Sequence, residues 1–490
     1  MKFFKKIKHI HFVGIGGAGM IGIAKVLLKK GYKISGSDIS DSLELRKLEK
    51  HGARVFIGHS SKNINGADLL VTSSAISNRN PELVQAKKES ITSIPRAEML
   101  GSLMIGYESI AVAGSHGKTT TTSIIAKILS VANLSPTYVV GGKVLSTDEN
   151  SDLGQGKYIV AEADESDGSF VHLQPDVAVL TNIDDDHLVH FNNIFENLLD
   201  SFVLFSENVP FYGYMVINGD DKNIKKISKR ISRSQVFFGE SKDCDYKIIK
   251  INSKNGKQDF QIFDKKTKKI HKFKINLPGK HNVFNATAAI AVALEEGISI
   301  SSIKSGISDF TGVGRRYEKH DIKINSKSIT LIDDYGHHPL EIESNIKAYK
   351  EEYKNKKVCM VFQPHRFSRT AQLFDDFIKV LKKTDSLIML DIYSASEKPI
   401  KGINSKTIVE TLKQNGHKDV IYLKNHDQII DLISDKKDTF DILVTQGAGS
   451  VCQKFVRLLK IDGKHKQNWS SLWRLFIRER NFFAEWAWSL

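Results

Sequence analysis

The sequence predicts an α/β protein of three domains, and three observations support that prediction. The chain has 490 residues, more than one hydrophobic core usually serves, which suggests about three domains. Short apolar runs typical of strands alternate with segments typical of helices. In three separate regions these strands end in glycine-rich or polar segments, as strands do at the ligand-binding edge of a parallel sheet.

The first region begins with a glycine-rich turn between a strand and a helix. Residues 9–14 alternate as a strand, and a second strand at 33–37 is followed by Asp38. A G-x-G-x-x-G pattern lies between them and is formed by Gly14, Gly16 and Gly19. Alone this pattern favours a dinucleotide site, but the extra Gly17 and the motifs downstream favour another diphosphate ligand. A purely structural glycine turn remains an alternative.

Two further strands complete the predicted first domain. Residues 54–57 and 68–72 are predicted strands. The second of them ends in Ser73 and Ser74, whose hydroxyls lie at the edge where open α/β sheets bind ligands. We place the first domain at residues 1–107.

The second region carries a phosphate loop. A short strand at 111–113 runs into a glycine-lysine-threonine turn and then into a predicted helix. The glycines let the backbone approach a polyphosphate, Lys118 can neutralise the outer phosphates, and the Thr119 hydroxyl can ligate Mg2+. Val112 stands where the full P-loop pattern has glycine, so an ordinary turn before a helix remains an alternative. The candidate nucleotide-binding residues are Gly114, Ser115, His116, Gly117, Lys118, Thr119 and Thr120.

Acidic and histidine side chains follow the next two predicted strands. The strand at 158–161 runs into Glu162, and the strand at 177–181 runs into a segment that contains His187. Mg2+ bridges phosphate oxygens to hard carboxylate oxygens, so Glu162 is a candidate ligand. His187 repeats the same topological position and marks a second candidate metal site. Solvated loop acids and a structural histidine are the alternatives.

The rest of the second domain offers fewer chemical signals. Residues 213–275 bring short β-like runs among lysine-rich surface, with no chemistry that we can name. Asn282 and Asn285 precede an alanine-rich helix at 286–295. Their amides suit the edge of a base, although asparagine near a helix start is usually a cap.

A third α/β unit closes the predicted architecture. A linker at 310–316 carries the cation Arg315 and separates the second domain, residues 108–314, from a third domain at 315–460. Four strands of this third domain, at 329–332, 358–362, 386–390 and 442–445, deliver polar residues to the same edge, as in a parallel sheet with a ligand-facing edge. Loops that served only solubility would not need two histidines beside prolines or the arginine pair Arg366 and Arg369. The candidate ligand contacts are Tyr335, His337, His365, Arg366 and Arg369.

Composition argues against several classes of function. The net charge of +15 comes from lysines scattered over the chain, without a basic stripe interleaved with aromatic residues, so no nucleic-acid partner is expected. The three cysteines form no metal-ligand spacing and indicate a reducing cytoplasm. No apolar run approaches the roughly 18 residues of a membrane span, and Lys25 with its neighbouring glycines argues against a signal peptide.

The tail at 461–490 differs in character, since all four tryptophans fall there. A partner-binding helix, a membrane-surface segment and sequence foreign to the fold are the alternatives. We favour foreign sequence or a lineage-specific tail.

Six motifs, taken in order, resemble the Mur ligase family over residues 8 to about 460. They are His11–Met20, Gly114–Thr119, Glu162–Asp167, Pro278–Val283, Asp333–Pro339 and Gln363–Arg366. A chance match to one such motif is easy, whereas a match to all six in the right order is not. The resemblance implies an N-terminal Rossmann-like UDP-binding domain, a central ATPase of P-loop type and a C-terminal Rossmann-like domain.

The resemblance also implies an ATP-dependent ligase of peptidoglycan precursor synthesis in the cytoplasm. In the reaction it implies, ATP phosphorylates the carboxylate of UDP-N-acetylmuramic acid, and the amine of L-alanine then attacks the acyl phosphate. Mg2+ would stabilise the charge that develops in both transfers. A sister ligase that joins another amino acid or peptide is the alternative, and a nicotinamide oxidoreductase is a weaker one. The sequence leaves the oligomeric state open.

The same resemblance implies a role for each candidate residue. The catalytic set is Lys118, Glu162, His187, His337 and Arg366. The metal ligands are Thr119, Glu162 and His187, and the adenine and phosphate contacts of ATP are Asn282, Asn285 and Arg315. The UDP contacts are Gly16, Gly17, Ala18, Gly19, Met20, Asp38, Ser73 and Ser74. The alanine contacts are Tyr335, His337, His365, Arg366 and Arg369, because a guanidinium fork matches a carboxylate.

Three positions depart from the family pattern. Ser115 stands where threonine is common, Val189 where aspartate is usual and Phe191 where tyrosine is usual. The valine puts in doubt any substrate contact that the aspartate would make.

Overall fold

The computed structural model describes residues 4, 6–145, 149–185, 188–324, 327–395, 397–424 and 428–449. The predicted metal ligand His187 and the tail at 461–490 lie outside these residues. The chain forms two compact units. One comprises the residues up to Arg316 together with Ser344–Lys354, and the other comprises Tyr317–Glu343 together with the residues from Asn355 onward.

The N-terminal part of the first unit is a parallel sheet covered by helices. Its strands are β1 (His9–Val13), β2 (Lys33–Asp38), β3 (Arg54–Ile57), β4 (Leu69–Thr72) and β5 (Thr92–Pro95). Its helices are α1 (Ala18–Lys29), α2 (Leu43–Lys50), α3 (Pro81–Lys88) and α4 (Arg96–Met104). Every residue of β1 is buried, as a central strand requires. The strand order β3-β2-β1-β4-β5 reverses beside β1, and sheets of this kind bind ligands at such a point.

The rest of the first unit is built on a ten-stranded sheet. Its strands are β6 (Glu108–Ala113), β7 (Thr137–Val144), β8 (Glu149–Asp152), β9 (Tyr158–Glu162), β10 (Val177–Leu180), β11 (Tyr214–Asn218), β12 (Ser234–Gly239), β13 (Tyr246–Lys254), β14 (Lys257–Asp264) and β15 (Lys269–Ile275). Its helices are α5 (Lys118–Val131), α6 (Phe195–Glu207), α7 (Lys222–Ser228), α8 (Lys280–Glu295) and α9 (Ile300–Ser308). The order is β15-β14-β13-β12-β11-β10-β6-β9-β7-β8, and β6 pairs in parallel with β10 and β9. The segments after β6, β9 and β10 therefore emerge at one edge.

The predicted start of helix α8 is wrong. The sequence favoured a helix from Ala286, whereas α8 begins at Lys280. Asparagine weakens helix propensity, which hid the first turns, but the side chains of Asn282 and Asn285 are buried and hydrogen-bonded there. The cap interpretation of both asparagines is also wrong, because the cap residue is Gly279.

The second unit carries a six-stranded sheet. Its strands are β16 (Glu318–Ile324), β17 (Lys327–Asp334), β18 (Val358–Phe362), β19 (Ser386–Leu390), β20 (Val420–Leu423) and β21 (Ile442–Gln446). The helices after Arg316 are α10 (Pro339–Glu352), α11 (Phe367–Gln372), α12 (Phe374–Leu381), α13 (Ser405–Gln414) and α14 (Ile429–Lys436). In the order β16-β17-β21-β18-β19-β20 only β16 is antiparallel to its neighbour. The three sheets confirm the predicted α/β fold class. None of the helices in the described part of the chain combines the length and apolarity needed to cross a membrane.

Candidate active site

The phosphate loop connects the end of β6 to the first turn of α5. Gly114 has a φ of 129° and Gly117 a φ of 82°, in the region that glycine favours. A Cβ atom at Gly114 would lie 2.2 Å from Thr181 Oγ1, and one at Gly117 would lie 2.4 Å from Asn285 Oδ1. Neither position accepts a side chain without displacing its neighbours.

The end of β10 holds the middle of this loop. Thr181 Oγ1 donates a hydrogen bond to the carbonyl of His116 at 2.6 Å, and Asn182 Oδ1 accepts one from the His116 N–H at 2.8 Å. Ser115 Oγ accepts a hydrogen bond from the Asp184 N–H at 2.8 Å. The first N–H groups of α5, which include those of Thr119 and Thr120, have no acceptor within the helix, and together with the helix dipole they suit an anion.

The Lys118 amine is held by backbone and carboxylate oxygens. Its Nζ donates hydrogen bonds to Gly114 O at 2.6 Å and to Glu165 Oε2 at 2.7 Å. Burial alone would lower the pKa of Lys118, but the nearby carboxylates of Glu165 and Asp164 outweigh burial and raise it. Lys118 therefore carries its charge at the loop at neutral pH.

Strand β7 lies beside two of the predicted metal ligands, Thr119 and Glu162. Glu162 ends β9 and accepts a hydrogen bond from the Gly141 N–H at 2.7 Å. A Cβ atom at Gly142 would lie 2.8 Å from Thr119 Cγ2, so this strand passes directly against the Thr119 side chain. Burial raises the pKa of Glu162, although Gly141, Lys118 and Thr119 act in the opposite direction.

The donor set at this edge fits Mg2+. The Thr119 hydroxyl and the Glu162 carboxylate are hard oxygen donors beside the phosphate loop. Within the described ranges no three histidine, cysteine or acidic side chains lie close enough to hold a metal by themselves. Two side chains suit Mg2+, because it takes several of its ligands from phosphates and water. The part predicted for His187 stays a prediction.

Three residues outside the predicted set of site residues also lie here. Glu165 is 1% exposed and contacts Lys118, as described above. Arg96, at the start of α4, places its Nη2 3.2 Å from Asp164 Oδ2. A Cβ atom at Gly19 would lie 2.9 Å from Arg96 Nη1, so the same arginine packs over the N-terminal glycine turn. The acids were visible in the sequence as one acidic segment, whereas nothing local to Arg96 indicated its contacts.

The two asparagines of α8 lie against the phosphate loop. Asn282 Nδ2 donates to Pro278 O at 2.7 Å, and Asn285 Nδ2 donates to Asn282 Oδ1 at 3.3 Å. The close approach of Asn285 to Gly117 places this amide pair beside the turn of the phosphate loop. Adenine recognition by the pair stays a prediction.

The linker that carries Arg315 continues along the end of β7. The Leu145 N–H donates to Gly312 O at 3.1 Å, and the Gly314 N–H donates to Lys143 O at 2.6 Å. Arg315 itself is half-buried and has a φ of 58°. The segment that contains Arg315, the predicted phosphate contact, is thus hydrogen-bonded to β7, the strand that also contacts Glu162.

In the N-terminal sheet Asp38 fixes the glycine turn. Its Oδ2 accepts a hydrogen bond from the Gly16 N–H at 2.9 Å, which uses one backbone donor that a ligand would otherwise meet. Ser73 lies across the turn, since a Cβ atom at Gly14 would lie 3.3 Å from Ser73 Cβ. The other predicted UDP contacts lie at the same end of the sheet. Gly17 is the N-cap of α1, the first turn of α1 contains Ala18, Gly19 and Met20, and Ser74 follows Ser73.

The same domain buries one carboxylate completely. Glu82 is 0% exposed, and its Oε2 accepts a hydrogen bond from Ser37 Oγ at 2.6 Å while Oε1 accepts one from Asn63 Nδ2 at 2.6 Å. His11 Nε2 lies 3.7 Å from Glu82 Oε2. Burial alone would raise the pKa of Glu82, but these contacts lower that pKa to about 2. Ser37 directly precedes Asp38, so the buried carboxylate supports the residue that holds the glycine turn.

In the second unit, the loops after β17 and β18 form one cluster of rings and cations. The ring of His337 lies 5.6 Å from that of Tyr335 and 5.5 Å from that of His365, measured between centroids. Tyr393, which sequence reasoning did not assign, stacks on His365 at 5.4 Å. Arg369 is 6% exposed, and its Nη1 lies 3.5 Å from His365 Nδ1.

Arg366 joins this cluster in a strained conformation. Its N–H donates to Tyr393 O at 2.8 Å, and its φ of 73° is rare for a residue with a side chain. Its Nη1 lies 3.7 Å from Glu397 Oε1, and the side chain is 43% exposed. The structure thus brings together all five residues that were predicted from this domain.

Models of three consecutive domains match the chain. The Mur ligase family catalytic domain matches residues 9–108, the Mur ligase middle domain matches 112–293, and the Mur ligase glutamate ligase domain matches 315–449. Together they cover more than four fifths of the chain.

Solved structures extend the likeness. The UDP-N-acetylmuramate-alanine ligase MurC from Thermotoga maritima is 28% identical with a TM-score of 0.79, over 92% of this chain and 98% of that one. The murein peptide ligase from Psychrobacter arcticus 273-4 is 22% identical with a TM-score of 0.71, over 94% of this chain and 100% of that one. The MurF ligase from Thermotoga maritima, solved in complex with ADP, is 16% identical with a TM-score of 0.59, over 87% of this chain and 94% of that one. The last two show the shared fold alone. With its three domain matches in order, the chain belongs to the Mur ligase family.

Proposed function

We propose that the protein joins L-alanine to the carboxylate of UDP-N-acetylmuramic acid, with conversion of ATP to ADP and phosphate. The observation that carries the proposal is the arrangement around Lys118. Its charged amine is fixed at a glycine loop at a helix N-terminus, and Thr119 and Glu162 lie at the same sheet edge. The likeness to a UDP-N-acetylmuramate-alanine ligase supports the choice of substrates.

ATP is the nucleotide that this arrangement suits. Loop N–H groups and the positive end of α5 would hold its phosphates, and Lys118 would neutralise the outer ones. Asn282 and Asn285 would contact adenine, and Arg315 would contact a phosphate. The ADP complex of the MurF relative supports a nucleotide at the corresponding fold.

The first chemical step is attack of a substrate carboxylate oxygen on the γ-phosphorus of ATP, with ADP as leaving group. A carboxylate is a poor electrophile, and phosphorylation gives its carbon a good leaving group. Lys118 would stabilise negative charge on the transferring group, where a fixed cation in a dry site has its largest effect. Bound Mg2+, with Thr119 and Glu162 as its protein ligands, would supply further charge neutralisation.

In the second step the neutral amine of alanine attacks the acyl carbon, phosphate leaves with the C–O bond electrons, and the amine loses its extra proton. Arg366 and Arg369 would bind the carboxylate of alanine, because a planar guanidinium matches it in two hydrogen bonds. Tyr335, His337 and His365 would shape the amine pocket, and His337 is the candidate to receive the proton.

The acceptor substrate would occupy the N-terminal domain. The first turn of α1 offers N–H groups to a diphosphate, and Ser73 and Ser74 would contact the rest of the UDP moiety. In this proposal residues 1–107 bind the UDP-sugar, 108–314 bind ATP, and 315–460 bind alanine. We also propose that the protein works in the cytoplasm, where the nucleotide substrates occur together.

An amino-acid specificity assay tests the proposal. The full chain is incubated with UDP-N-acetylmuramic acid, Mg-ATP and one of L-alanine, glycine, L-serine, D-glutamate or a murein peptide, and both phosphate release and product mass are measured. We expect a product with L-alanine at the highest kcat/KM. Ligation of D-glutamate or a murein peptide without L-alanine would assign the chain to a sister ligase. NADH binding without UDP-sugar binding would instead favour the oxidoreductase.

A further inference from the structure

Helix α1 carries a buried lysine that has no part in the chemistry above. The helix begins at the glycine turn, and Lys25 lies two turns further along with only 5% of its surface exposed. Its Nζ donates a hydrogen bond to the carboxylate of Glu149, which belongs to strand β8 of the central sheet. Asn150 Oδ1 lies 3.5 Å and Glu44 Oε2 lies 4.0 Å from the same nitrogen.

Two further contacts seat β8 against α1. Asn150 Nδ2 donates a hydrogen bond to the carbonyl of Ala18, in the first turn of the helix, at 3.3 Å. A Cβ atom at Gly22 would lie 3.1 Å from Val139 Cγ1 and 3.6 Å from Ser151 Cβ. The helix therefore contacts both β7 and β8 along its length, and the buried Lys25 forms an ion pair there with the half-buried Glu149.

Strand β7 continues this contact to the phosphate loop. It pairs with β8 on one side, with Val139 opposite Ser151, and with β9 on the other. Two residues beyond Val139, Gly141 donates its hydrogen bond to Glu162, and Gly142 packs against Thr119. One strand thus separates the Lys25–Glu149 pair from both proposed metal ligands.

An exposed pair on the same helix provides a natural comparison. Lys29 Nζ lies 2.6 Å from Asp152 Oδ1, with the two side chains 47% and 49% exposed. Exposed pairs of this kind contribute little, because water and salt screen them. For the pair of Lys25 the surroundings are different, since the Lys25 side chain is 6% exposed and Glu149 is 35% exposed. Loss of Glu149 would therefore leave a largely buried ammonium without its main partner.

We propose that Lys25 is a positioning residue, whose ion pair with Glu149 holds the acceptor-binding glycine turn in register with the phosphate loop. This inference rests on the proposed function, because register matters only if a group held by one domain reacts with a group held by the other. Displacement of reacting atoms by about 1 Å can cost on the order of 100-fold in rate even when each ligand still binds.

Four variants of the full chain test the proposal: Lys25→Met, Lys25→Glu, Glu149→Lys and the charge swap that combines the last two. Methionine keeps the apolar stem and a strong helix propensity while it removes the charge. For each variant we would measure kcat, the Kd of UDP-N-acetylmuramic acid, the Kd of ADP and the Tm. Lys29→Met is the matched control.

We expect Lys25→Met and both single charge reversals to lower kcat by roughly tenfold or more, with each Kd within about twofold of wild type. The charge swap should recover most of that kcat, and Lys29→Met should match the wild type. Wild-type kcat in Lys25→Met would overturn the proposal. So would equal kcat in the swap and the single reversals, or a parallel loss of ADP binding and kcat, since both results indicate a purely structural role.

Failure of this inference is distinguishable from failure of the proposed function. If the wild type ligates no amino acid, the proposed function fails. The Tm values of the same variants still show whether the Lys25–Glu149 ion pair stabilises the fold. A swap whose Tm exceeds those of both single reversals would support the ion pair. A swap less stable than either single reversal would count against it.

Discussion

Lys118 Nζ lies 2.7 Å from Glu165 Oε2, and that carboxylate is 1% exposed. The lysine that sequence reasoning assigned to the phosphates is thus held by an acid outside the predicted set of site residues. Because the pair is buried, each group depends on the other for its charge. The acidic segment after β9 therefore helps to orient the lysine, together with the loop itself.

Replacement of Glu165 by glutamine should lower kcat by about 10- to 100-fold, the range expected when a hydrogen bond to a charged group is weakened. The amide removes the charge that raises the pKa of Lys118 and holds its amine beside Gly114. The KM for ATP should change less, because the loop N–H groups remain. Steady-state kinetics measure both constants. Glu196→Gln, at an exposed carboxylate that pairs with Lys226, is the control, and equal kcat in the two variants would contradict the role of Glu165.

A second prediction concerns the space around Gly117. Gly117→Ala should abolish ADP binding in calorimetry, because its Cβ would meet Asn285 Oδ1 at 2.4 Å and force the loop to move. Gly297→Ala is the matched control, since Gly297 has a φ of 71° with no atom within 4 Å of the added Cβ. The control should lose only about 1 to 2 kcal/mol of unfolding free energy and keep its nucleotide. Unimpaired ADP binding by Gly117→Ala would show that the loop tolerates a side chain.

Much of the sheet framework could be predicted because each predicted strand is a short apolar run that ends in polar residues. Strands β18 and β19 match their predicted bounds, since every residue in them is buried and the apolar signal has no gap. Strands β7 and β8 were not predicted. Two glycines interrupt the first, and the second reads Glu-Asn-Ser-Asp, without any apolar residue.

The residues that sequence reasoning did not identify depend on contacts between distant segments. Lys25 meets Glu149 across 124 residues of chain, and Arg96 meets Asp164 across 68. Either residue alone has the appearance of a solvated charge on a helix. Glu82 is similar, because a glutamate in the first turn of a helix is common, and only the fold shows that this one is fully buried.

The buried Glu82 predicts a specific dependence of stability on pH. Its pKa is about 2 in the folded protein and 4.5 as a reference value, so the unfolded state binds more protons between these limits and stability rises with pH there. The stabilisation, about 3 kcal/mol, should be complete above pH about 4.5 and lost as pH falls toward about 2. Glu82→Gln should therefore be less stable than wild type at neutral pH by about that amount, with the difference shrinking in acid.

Urea midpoints of both proteins, measured over this pH range, test the prediction, with Glu89→Gln at the exposed end of α3 as control. A difference that does not vary with pH would contradict the ionised state of Glu82.

The conformation of Arg366 predicts that two substitutions of this residue change stability differently but affect substrate binding equally. A φ of 73° costs a residue with a side chain about 1 to 3 kcal/mol, whereas glycine adopts it freely but loses about 0.5 to 1 kcal/mol to its flexible unfolded state. The free energy of unfolding of Arg366→Gly should therefore be about 1 kcal/mol larger than that of Arg366→Ala, because alanine keeps the backbone strain. Both variants lose the guanidinium, so both should raise the KM for L-alanine by about tenfold or more. Thermal unfolding and amino-acid titrations provide the two readouts, with Lys406→Ala at an exposed residue of the same unit as control. A glycine variant no more stable than the alanine variant would remove the strain argument, and an unchanged KM would remove the carboxylate role.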